Sequence, residues 1–367
     1  MRGEYKAMIE EAWEKAVSES DIEAREADEL RDVYARQSYE LVAPADGPSE
    51  TRRLVDAISE GLRQGMERDP HLVLMGQDIA EYGGVFKVTE GFVRSFGKER
   101  VRNTPLCESA ILGAGLGLSI SGRASMIEMQ FADFVTCGFN QIVNNLAKTH
   151  YRWSHSVKVT VRMPTGAGVG AGPFHSQSTE AWFTHIPGLV VVYPSTPYDA
   201  KGLLTTSLIE PNPVLFFEHK YLYRSVEGTV PQAYYNLPLG KAHVLRTGED
   251  ATIVTYGLGV HWALEAASEF PDVGIEIVDL RTLLPWDKDT VLASVAKTGK
   301  CLILHEDTLV GGFGGEIAAT IAEEQFHSLD APVMRLGALD TPVPFNSALE
   351  FNYLPKRKLS QTIEALL

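Results

Sequence analysis

Short apolar runs, each followed by a helical segment, constrain the fold of this chain more than any other feature. The run at 189–193 reads Leu-Val-Val-Val-Tyr and contains no charged residue. Strands of this kind are buried on both faces and belong to parallel sheets covered by helices. The predicted strands of this first set are 71–75, 100–104, 124–129, 157–163, 189–193 and 213–218. The pattern predicts an α/β domain over residues 49–218, with Ser49 capping its first helix.

A second set of alternating strands and helices follows an interruption, and we assign residues 219–237 to a linker. Its predicted strands are 251–256, 275–279, 301–304 and 333–336, and its predicted helices are 260–270, 287–297, 316–326 and 360–366. The sequence therefore predicts a second, smaller α/β domain over residues 238–367.

Residues 1–48 form an acidic arm with 13 Asp and Glu residues against 6 Lys and Arg residues. Tyr5, Ile9, Trp13 and Val17 recur every fourth residue, which predicts a helix with one narrow apolar stripe. A polar helix of this kind usually docks onto something else. Ser20 or Asp21 is a candidate cap for a second short helix ending near residue 34, and the Pro- and Gly-containing run 43–48 marks a boundary.

The overall charge and the cysteine count exclude several classes of protein. The formal net charge is −15, which argues against a nucleic-acid partner and suits a basic protein partner. The three cysteines have no close spacing, so they predict neither a disulfide framework nor a zinc site, and each is most simply a small buried hydrophobe. No secretory or transit segment and no membrane span is recognisable, so we expect a cytoplasmic protein.

A glutamate begins a helix of small and apolar residues. Pro105 cannot continue a strand ladder, so the preceding strand should end there, and Glu108 follows at the first turn of the next helix. One interpretation is that Glu108 stabilises the helix dipole by roughly 0.3–1 kcal/mol. The other is a buried carboxylate that handles a proton, its pKa raised by desolvation among apolar neighbours such as Leu106 and Ile111.

A glycine-rich run at 166–172 and the histidine after it form a second candidate site. The run lacks the Lys-Ser/Thr ending of a P-loop, so a flexible or close-approach loop is favoured over a phosphate cradle. It follows a predicted strand, where α/β sheets place ligands. His175 is the candidate catalytic residue, whereas structural roles are expected for His185, His219 and His305. Phe131 and Phe134, after another predicted strand, are either core residues or a stacking platform.

Taken together, several motifs in chain order resemble the β subunit of the decarboxylase component of 2-oxo acid dehydrogenase complexes. The motifs are Met75-Gly76-Gln77-Asp78, Gly83-Gly84-Val85-Phe86, Asn103-Thr104-Pro105-Leu106-Cys107-Glu108, Glu128-Met129-Gln130-Phe131-Ala132-Asp133-Phe134, Phe174-His175-Ser176-Gln177-Ser178, Ala200-Lys201-Gly202-Leu203-Leu204 and Asp279-Leu280-Arg281-Thr282-Leu283-Leu284-Pro285-Trp286-Asp287. These are thiamine diphosphate enzymes of the transketolase superfamily. The motif sequences most resemble those of the branched-chain 2-oxoisovalerate type, and next those of the pyruvate type. The resemblance implies two doubly wound α/β domains, a pyrimidine-binding domain and a smaller transketolase C-terminal domain.

The resemblance also implies roles for individual residues. Glu108 matches the glutamate that hydrogen-bonds the aminopyrimidine ring nitrogen of thiamine diphosphate and promotes its imino tautomer. Phe134 matches the aromatic residue that stacks on this ring, where branched-chain relatives often carry Tyr. Leu106 matches a backbone carbonyl contact, and Gln130 lines the same pocket. His175 matches the histidine on the substrate side, acting in decarboxylation or in acyl transfer to lipoamide.

The family's signature for magnesium and diphosphate, Gly-Asp-Gly followed by Asn, is absent from this chain. In the family it lies on the α subunit, so the resemblance implies a cofactor shared between α and β, with magnesium held mainly by α. A second β subunit and a lipoyl acyltransferase core with a basic subunit-binding domain are the other implied partners. A structural potassium site is implied around Val157, Val159, Thr160, Ser207, Glu210 and Asn212, although relatives often have Asp in place of Glu210.

Several alternatives stay open from the sequence. The arm resembles the α-subunit tail of family members in which α and β are fused, and a docking arm fits equally well. A complete thiamine enzyme such as a transketolase is disfavoured by the missing diphosphate motif. A non-catalytic assembly module is disfavoured by Glu108, Phe134 and His175. The 2-oxo acid is not specified, because much of the acyl pocket belongs to α.

Overall fold

The computed structural model describes all residues from 1 to 367 and confirms two α/β domains preceded by a partly helical arm. The α-helices are α1 (Arg2–Ser18), α2 (Glu26–Arg31), α3 (Leu54–Arg68), α4 (Phe92–Phe96), α5 (Glu108–Ile120), α6 (Ala147–Trp153), α7 (Ala181–Thr184), α8 (Pro197–Ser207), α9 (Leu222–Ser225), α10 (Leu258–Ala267), α11 (Lys288–Thr298), α12 (Gly314–Glu324), α13 (Ser347–Tyr353) and α14 (Leu359–Leu366). The strands are β1 (Ser49–Arg53), β2 (Val73–Gly76), β3 (Val101–Asn103), β4 (Ser125–Glu128), β5 (Val159–Thr165), β6 (Val190–Val192), β7 (Val214–His219), β8 (Glu227–Pro231), β9 (His243–Arg246), β10 (Ala251–Thr255), β11 (Ile275–Asp279), β12 (Thr282–Leu284), β13 (Cys301–Thr308) and β14 (Met334–Ala338).

The first sheet has seven strands in the order β12-β6-β7-β5-β4-β2-β3, and all pairs except β12 with β6 are parallel. Every residue of β5 and β7 is buried, as expected for central strands covered on both faces. Alternate residues of one strand enter different hydrophobic clusters, so Val191 packs on one face and Val190 and Val192 on the other. The apolar runs of the sequence thus form the interior of a doubly wound domain.

The second sheet has five strands in the order β14-β13-β10-β11-β9, with β9 antiparallel to β11. The short strand β12 follows β11 in the chain but pairs with β6 of the first sheet. At this crossing the Ser195 hydroxyl donates to the Asp279 carboxylate at 2.5 Å, and both residues are buried. The two domains are therefore joined by a shared sheet edge as well as by packing.

Several local predictions were wrong where a distant partner decides the structure. Ser49 does not cap a helix but begins β1, which pairs antiparallel with β8 inside the predicted linker. β1 reads Ser-Glu-Thr-Arg-Arg and does not alternate apolar and polar residues, so its local sequence does not predict a strand. The segment after β4 is not one continuous helix, because it consists of a 3₁₀ helix at Ala132–Gly138, a π-helix at Gln141–Leu146 and then α6.

The acidic arm contains α1 and α2 and has no helix or strand from residue 32 to residue 48. α1 has no buried residue, and Trp13 is 71% exposed, so the apolar stripe of this helix contacts nothing within the chain. The second helix begins at Glu26 and not near Ser20. The following residues lie on the first domain. There the Ala35 backbone N–H donates to the Asn212 side-chain oxygen at 2.8 Å, and the Ala35 carbonyl accepts from the Asn212 side-chain amide at 3.0 Å.

Two of the three cysteines differ from prediction, since Cys107 and Cys137 are exposed and Cys301 alone is buried. Cys107 directly precedes α5, and Cys137 lies in the 3₁₀ helix at Ala132–Gly138. None of the helices combines the length and the apolar character needed to cross a membrane.

A buried charge network connects the three central strands of the first sheet. The Arg162 guanidinium in β5 donates to both carboxylate oxygens of Glu218 in β7 at 2.6 Å and to Glu128 in β4 at 2.7 Å. Tyr223 donates to the same Glu218 carboxylate at 2.6 Å. Arg162 and Glu218 are fully buried, and burial raises the pKa of Glu128 although Arg162 opposes the shift. Two carboxylates therefore depend on one guanidinium for their compensation.

We predict that Arg162→Met lowers the free energy of unfolding by about 3–5 kcal/mol, because it leaves two buried carboxylates without their partner. Urea unfolding of the full chain at pH 7 measures the loss. Arg102→Met is the matched control, because Arg102 pairs with Glu99 at the surface and such pairs contribute under about 1 kcal/mol. Equal losses for the two variants would contradict the assignment.

Candidate active site

The carboxyl ends of β2, β3, β4 and β5 meet at one edge of the first sheet, where open α/β sheets bind ligands. The parallel registers place Gly76 beside both Asn103 and Glu128, and Glu128 beside Arg162. The segments that follow these strands carry the residues predicted from the sequence. This edge therefore gathers the loop after β2, the start of α5, the 3₁₀ segment and the glycine-rich loop.

Glu108 is the first residue of α5 and accepts a hydrogen bond at 3.1 Å from the Gln77 side-chain amide. Its side chain is half-buried, so the prediction of a buried carboxylate does not hold for this chain alone. Leu106, predicted to help desolvate it, is 79% exposed. The side-chain oxygens of Gln77 and Thr104 beside it are buried without a partner. Buried polar atoms are usually paired, so these two oxygens are candidates to hydrogen-bond a polar group of a bound ligand.

Phe134 and His175 lie in one aromatic cluster. Their ring centroids are 5.5 Å apart, and the Phe131 ring lies 5.0 Å from His175 and 5.6 Å from Phe134. All three pairs meet edge to face, the arrangement that aromatic quadrupoles favour. The structure thus brings together two predicted site residues that are 41 positions apart in the chain.

Asp133, in the 3₁₀ helix, is hydrogen-bonded to Gln177, two residues after His175. One of its carboxylate oxygens accepts from the Gln177 backbone N–H at 3.1 Å and from the Gln177 side chain at 2.9 Å. Gln130, a predicted site residue, is half-buried and lies 3.5 Å from the Asp78 carboxylate. Gln77, Asp133 and Gln177 were not predicted as site residues. Each of them belongs to one of the motifs of the family resemblance, and Asp133 and Gln177 share their motif with a predicted site residue.

Large apolar side chains are exposed around this edge of the sheet. Tyr82 and Val85 in the loop after β2 are 57% and 38% exposed, and Phe174 beside His175 is 73% exposed. Ala114 and Gly117 on α5 are also exposed. Clustered apolar surface of this kind typically marks an interaction site. We name Tyr82, Val85, Leu106 and Phe174 the apolar rim.

The six residues of the predicted potassium site lie near one another, but their side-chain oxygens are engaged. Thr160 donates to the Ser207 carbonyl at 2.8 Å, and the two Glu210 oxygens accept from Asn212 and from Tyr39 of the arm, each at 2.6 Å. The contacts of Val157 and Val159 are backbone ones. No group of three His, Cys, Asp or Glu residues could hold a metal ion. The side chains do not fit an open cation cage, and potassium here stays a prediction.

Lys220 lies beneath the aromatic cluster and is buried. Its ammonium donates to the Gly166 carbonyl at 2.7 Å and lies 5.8 Å from the centre of the Phe131 ring. Burial lowers the pKa of Lys220 to about 8, against the opposing pull of Asp133, Glu306 and Glu350. The Lys220 ammonium therefore fixes the beginning of the glycine-rich loop, although its burial disfavours the charged form.

Two family models match the chain, one for each domain. "Transketolase, pyrimidine binding domain" matches residues 51–226, and "Transketolase, C-terminal domain" matches residues 240–358. The chain is also similar to the split gene transketolase solved as an inactive beta4 tetramer, with a TM-score of 0.68 at 23% identity over 86% of this chain and 98% of the other. That structural likeness shows the fold alone.

Sequence relatives cover most of the chain. The 2-oxoisovalerate dehydrogenase subunit beta of Bacillus subtilis (strain 168) is 48% identical over 81% of this chain and 92% of its own. The 2-oxoisovalerate dehydrogenase subunit beta 2, mitochondrial, of Arabidopsis thaliana is 44% identical over 89% and 93%. The pyruvate dehydrogenase E1 component subunit beta of Staphylococcus epidermidis (strain ATCC 12228 / FDA PCI 1200) is 41% identical over 83% and 95%.

We predict that the stability difference between the wild type and Lys220→Met depends on pH. The folded pKa, about 8, lies below the ordinary value of about 10.4, so between these values the unfolded chain binds a proton that the folded chain lacks. The wild type should therefore gain about 2–3 kcal/mol relative to the variant as the pH rises from 8 to about 10.4. Urea unfolding across this range measures the difference. Lys148→Met, at an exposed lysine, controls for the lost charge, and a flat difference for Lys220→Met would contradict the prediction.

Proposed function

The chain belongs to the family of 2-oxo acid dehydrogenase β subunits, and from this premise we propose that, with an α subunit, it decarboxylates a branched-chain 2-oxo acid on thiamine diphosphate. The acyl group is then transferred to lipoyl groups of an acyltransferase core. The branched-chain assignment is supported by relatives named 2-oxoisovalerate dehydrogenase at 44–48% identity, against 41% for the pyruvate dehydrogenase relative. The chain is thus one half of an oxidoreductase component.

The observation that carries this proposal is the half-open polar site at the start of α5. Glu108 has a single partner, Gln77, and the neighbouring Gln77 and Thr104 oxygens are unpaired. Beside it, the Phe134 ring is half-buried with His175 at its edge. A heteroaromatic ring with ring nitrogens and an amino group is the chemistry that such a set would bind. These residues fit the aminopyrimidine half of thiamine diphosphate.

Each residue has a stated task in this proposal. Glu108 holds a hydrogen bond to a ring nitrogen of the pyrimidine, and Gln77 orients the carboxylate by donating to its other oxygen. A carboxylate that exchanges a proton in a site closed to water contributes more than the same group in water. Phe134 stacks on the ring, the Leu106 carbonyl accepts from its amino group, and Gln130 lines the same pocket. When bound, the cofactor supplies the electron sink for the decarboxylation.

His175 acts on the substrate side. Its imidazole meets the Phe131 and Phe134 rings edge to face, and imidazole is the side chain best suited to proton transfer near neutral pH. In the proposal His175 orients the 2-oxo acid and serves the acyl transfer to lipoamide. The exposed position of Phe174 next to it opens this side of the site to a partner.

An α subunit is needed because the charged half of the cofactor has no site here. The sequence has no Gly-Asp-Gly motif with a following Asn, so magnesium and the diphosphate are assigned mainly to α. The apolar rim and the exposed small residues of α5 provide surface for α and for a second β subunit, which gives an α₂β₂ assembly. The formal net charge of −15 suits binding to the basic subunit-binding domain of the core. We assign the contact with that domain to the smaller domain of this chain.

Pyruvate is the second candidate substrate, favoured by the 41% identical pyruvate dehydrogenase relative. Co-expression with the α partner, followed by assays on branched-chain 2-oxo acids and on pyruvate, decides between them. A higher kcat/KM for pyruvate would overturn the branched-chain assignment and leave the family intact.

We predict that Glu108→Gln leaves assembly intact and lowers decarboxylation by at least about 100-fold, because the carboxylate is lost as a proton-handling contact. Turnover of the purified α₂β₂ complex measures the effect. The matched control is Glu316→Gln, which also removes a carboxylate from the first turn of a helix, but this glutamate is exposed and lies in the second domain. Near-normal turnover of an assembled Glu108→Gln complex would contradict the assignment.

We predict that the chain alone binds thiamine diphosphate weakly or not at all and is inactive, even with magnesium. Burying the diphosphate charge without a metal or donors is costly. The exposed small residues of α5, among them Ala114 and Gly117, should also drive self-association into a β dimer. Calorimetry with cofactor and magnesium, and sedimentation of the isolated chain, test the two parts. A monomer with micromolar affinity for the cofactor would show that the site is misassigned.

A further inference from the structure

The glycine-rich loop at 166–172 forms a concave row of backbone N–H groups. Gly166, Gly168, Gly170 and Gly172 all have positive φ, at +90°, +85°, +68° and +72°, and they alternate with other residues. Alternation of left-handed and ordinary backbone turns successive N–H groups towards one side and makes an anion-binding nest. Glycine is required because side chains rarely adopt these angles.

A carboxylate from the second domain fills this nest. Glu350 on α13 accepts from the Gly168 N–H at 2.9 Å and from the Gly170 N–H at 3.1 and 3.3 Å. Glu350 is 5% exposed although it is charged. Its helix is fixed at its start by the Asn346 side chain, which accepts from the Ala348 N–H at 2.9 Å. The position in which a phosphate cradle would hold its anion is therefore occupied by the chain itself.

A second carboxylate of the same domain holds the ends of the loop. Glu306 accepts from the Ala167 N–H at 2.6 Å and from the Ser178 hydroxyl at 3.2 Å, and its other oxygen lies 2.6 Å from His219. Ala167 precedes His175 and Ser178 follows it. The histidine thus lies between anchor points that the second domain provides.

We infer that Glu350 is a positioning residue, which holds the glycine-rich loop so that His175 lies against Phe131 and Phe134. This inference rests on the proposed role of His175. Hydrogen bonds to an ionised acceptor are about twice as strong as neutral ones. Without them, a loop in which every second residue is glycine has more conformational freedom than one without glycine, and it loses its single geometry. Glu306 fixes the ends of the loop, and Glu350 fixes its middle.

The first test is hydrogen exchange of the assembled α₂β₂ complex, read on peptides that cover 166–178. Glu350→Ala and the isosteric Glu350→Gln should both raise exchange at Gly168 and Gly170 by about 10-fold. Glu323→Gln, an exposed glutamate of the same domain, is the matched control and should leave the loop unchanged. Unchanged loop exchange in Glu350→Ala overturns the inference.

The second test is a double-mutant cycle on turnover. Glu350→Ala should lower kcat by about 10-fold, and adding it to His175→Ala should cost nothing further, because a positioning residue acts through the residue that it positions. Additive losses would show a general structural role and overturn the inference. Normal turnover of His175→Ala would instead overturn the proposed role of His175, while loop exchange still reports whether Glu350 holds the loop.

Discussion

The Arg162 guanidinium is the interaction on which the candidate site depends. It lies in the central strand β5 and binds carboxylates of both neighbouring strands, Glu128 in β4 and Glu218 in β7. Each of these strands leads directly into a part of the site. β4 continues into the Phe131–Phe134 segment, and β5 continues into the glycine-rich loop. β7 ends at His219 and is followed by Lys220. One buried cation thereby fixes the relative positions of three strand ends that carry the chemistry.

The second domain completes the site that the first domain supports. Glu306 and Glu350 reach into the glycine-rich loop, and β12 adds a strand to the first sheet. Both large hydrophobic clusters also contain residues from both domains. Because Glu306 and Glu350 lie over 130 positions from Ala167 and Gly168 in the chain, these contacts form only after the two domains have packed.

Sequence patterns identified what is determined locally. The central strands were predicted because they are apolar on both faces, and Glu108 does begin a helix. The order of the motifs identified Phe134 and His175, which lie together. β1, β8 and β12 were missed because their pairing depends on distant strands and not on an apolar pattern. Glu350 was missed for a similar reason, since a glutamate near the end of the chain carries no local sign of a partner at Gly168.

The incomplete burial of Glu108 and the exposure of the apolar rim have one common explanation. A carboxylate that handles a proton needs a dry surrounding, and this chain leaves Glu108 half-buried while Leu106 and Phe174 face outwards. In the proposed complex the α subunit covers the rim, so that binding of the partner and desolvation of the carboxylate are the same event. In the same proposal, the cofactor supplies partners for the Gln77 and Thr104 side-chain oxygens, which are unpaired in this chain. The proposal then restricts activity to the assembled enzyme, because only assembly brings together the pyrimidine half of the site, the charged half and the exclusion of water.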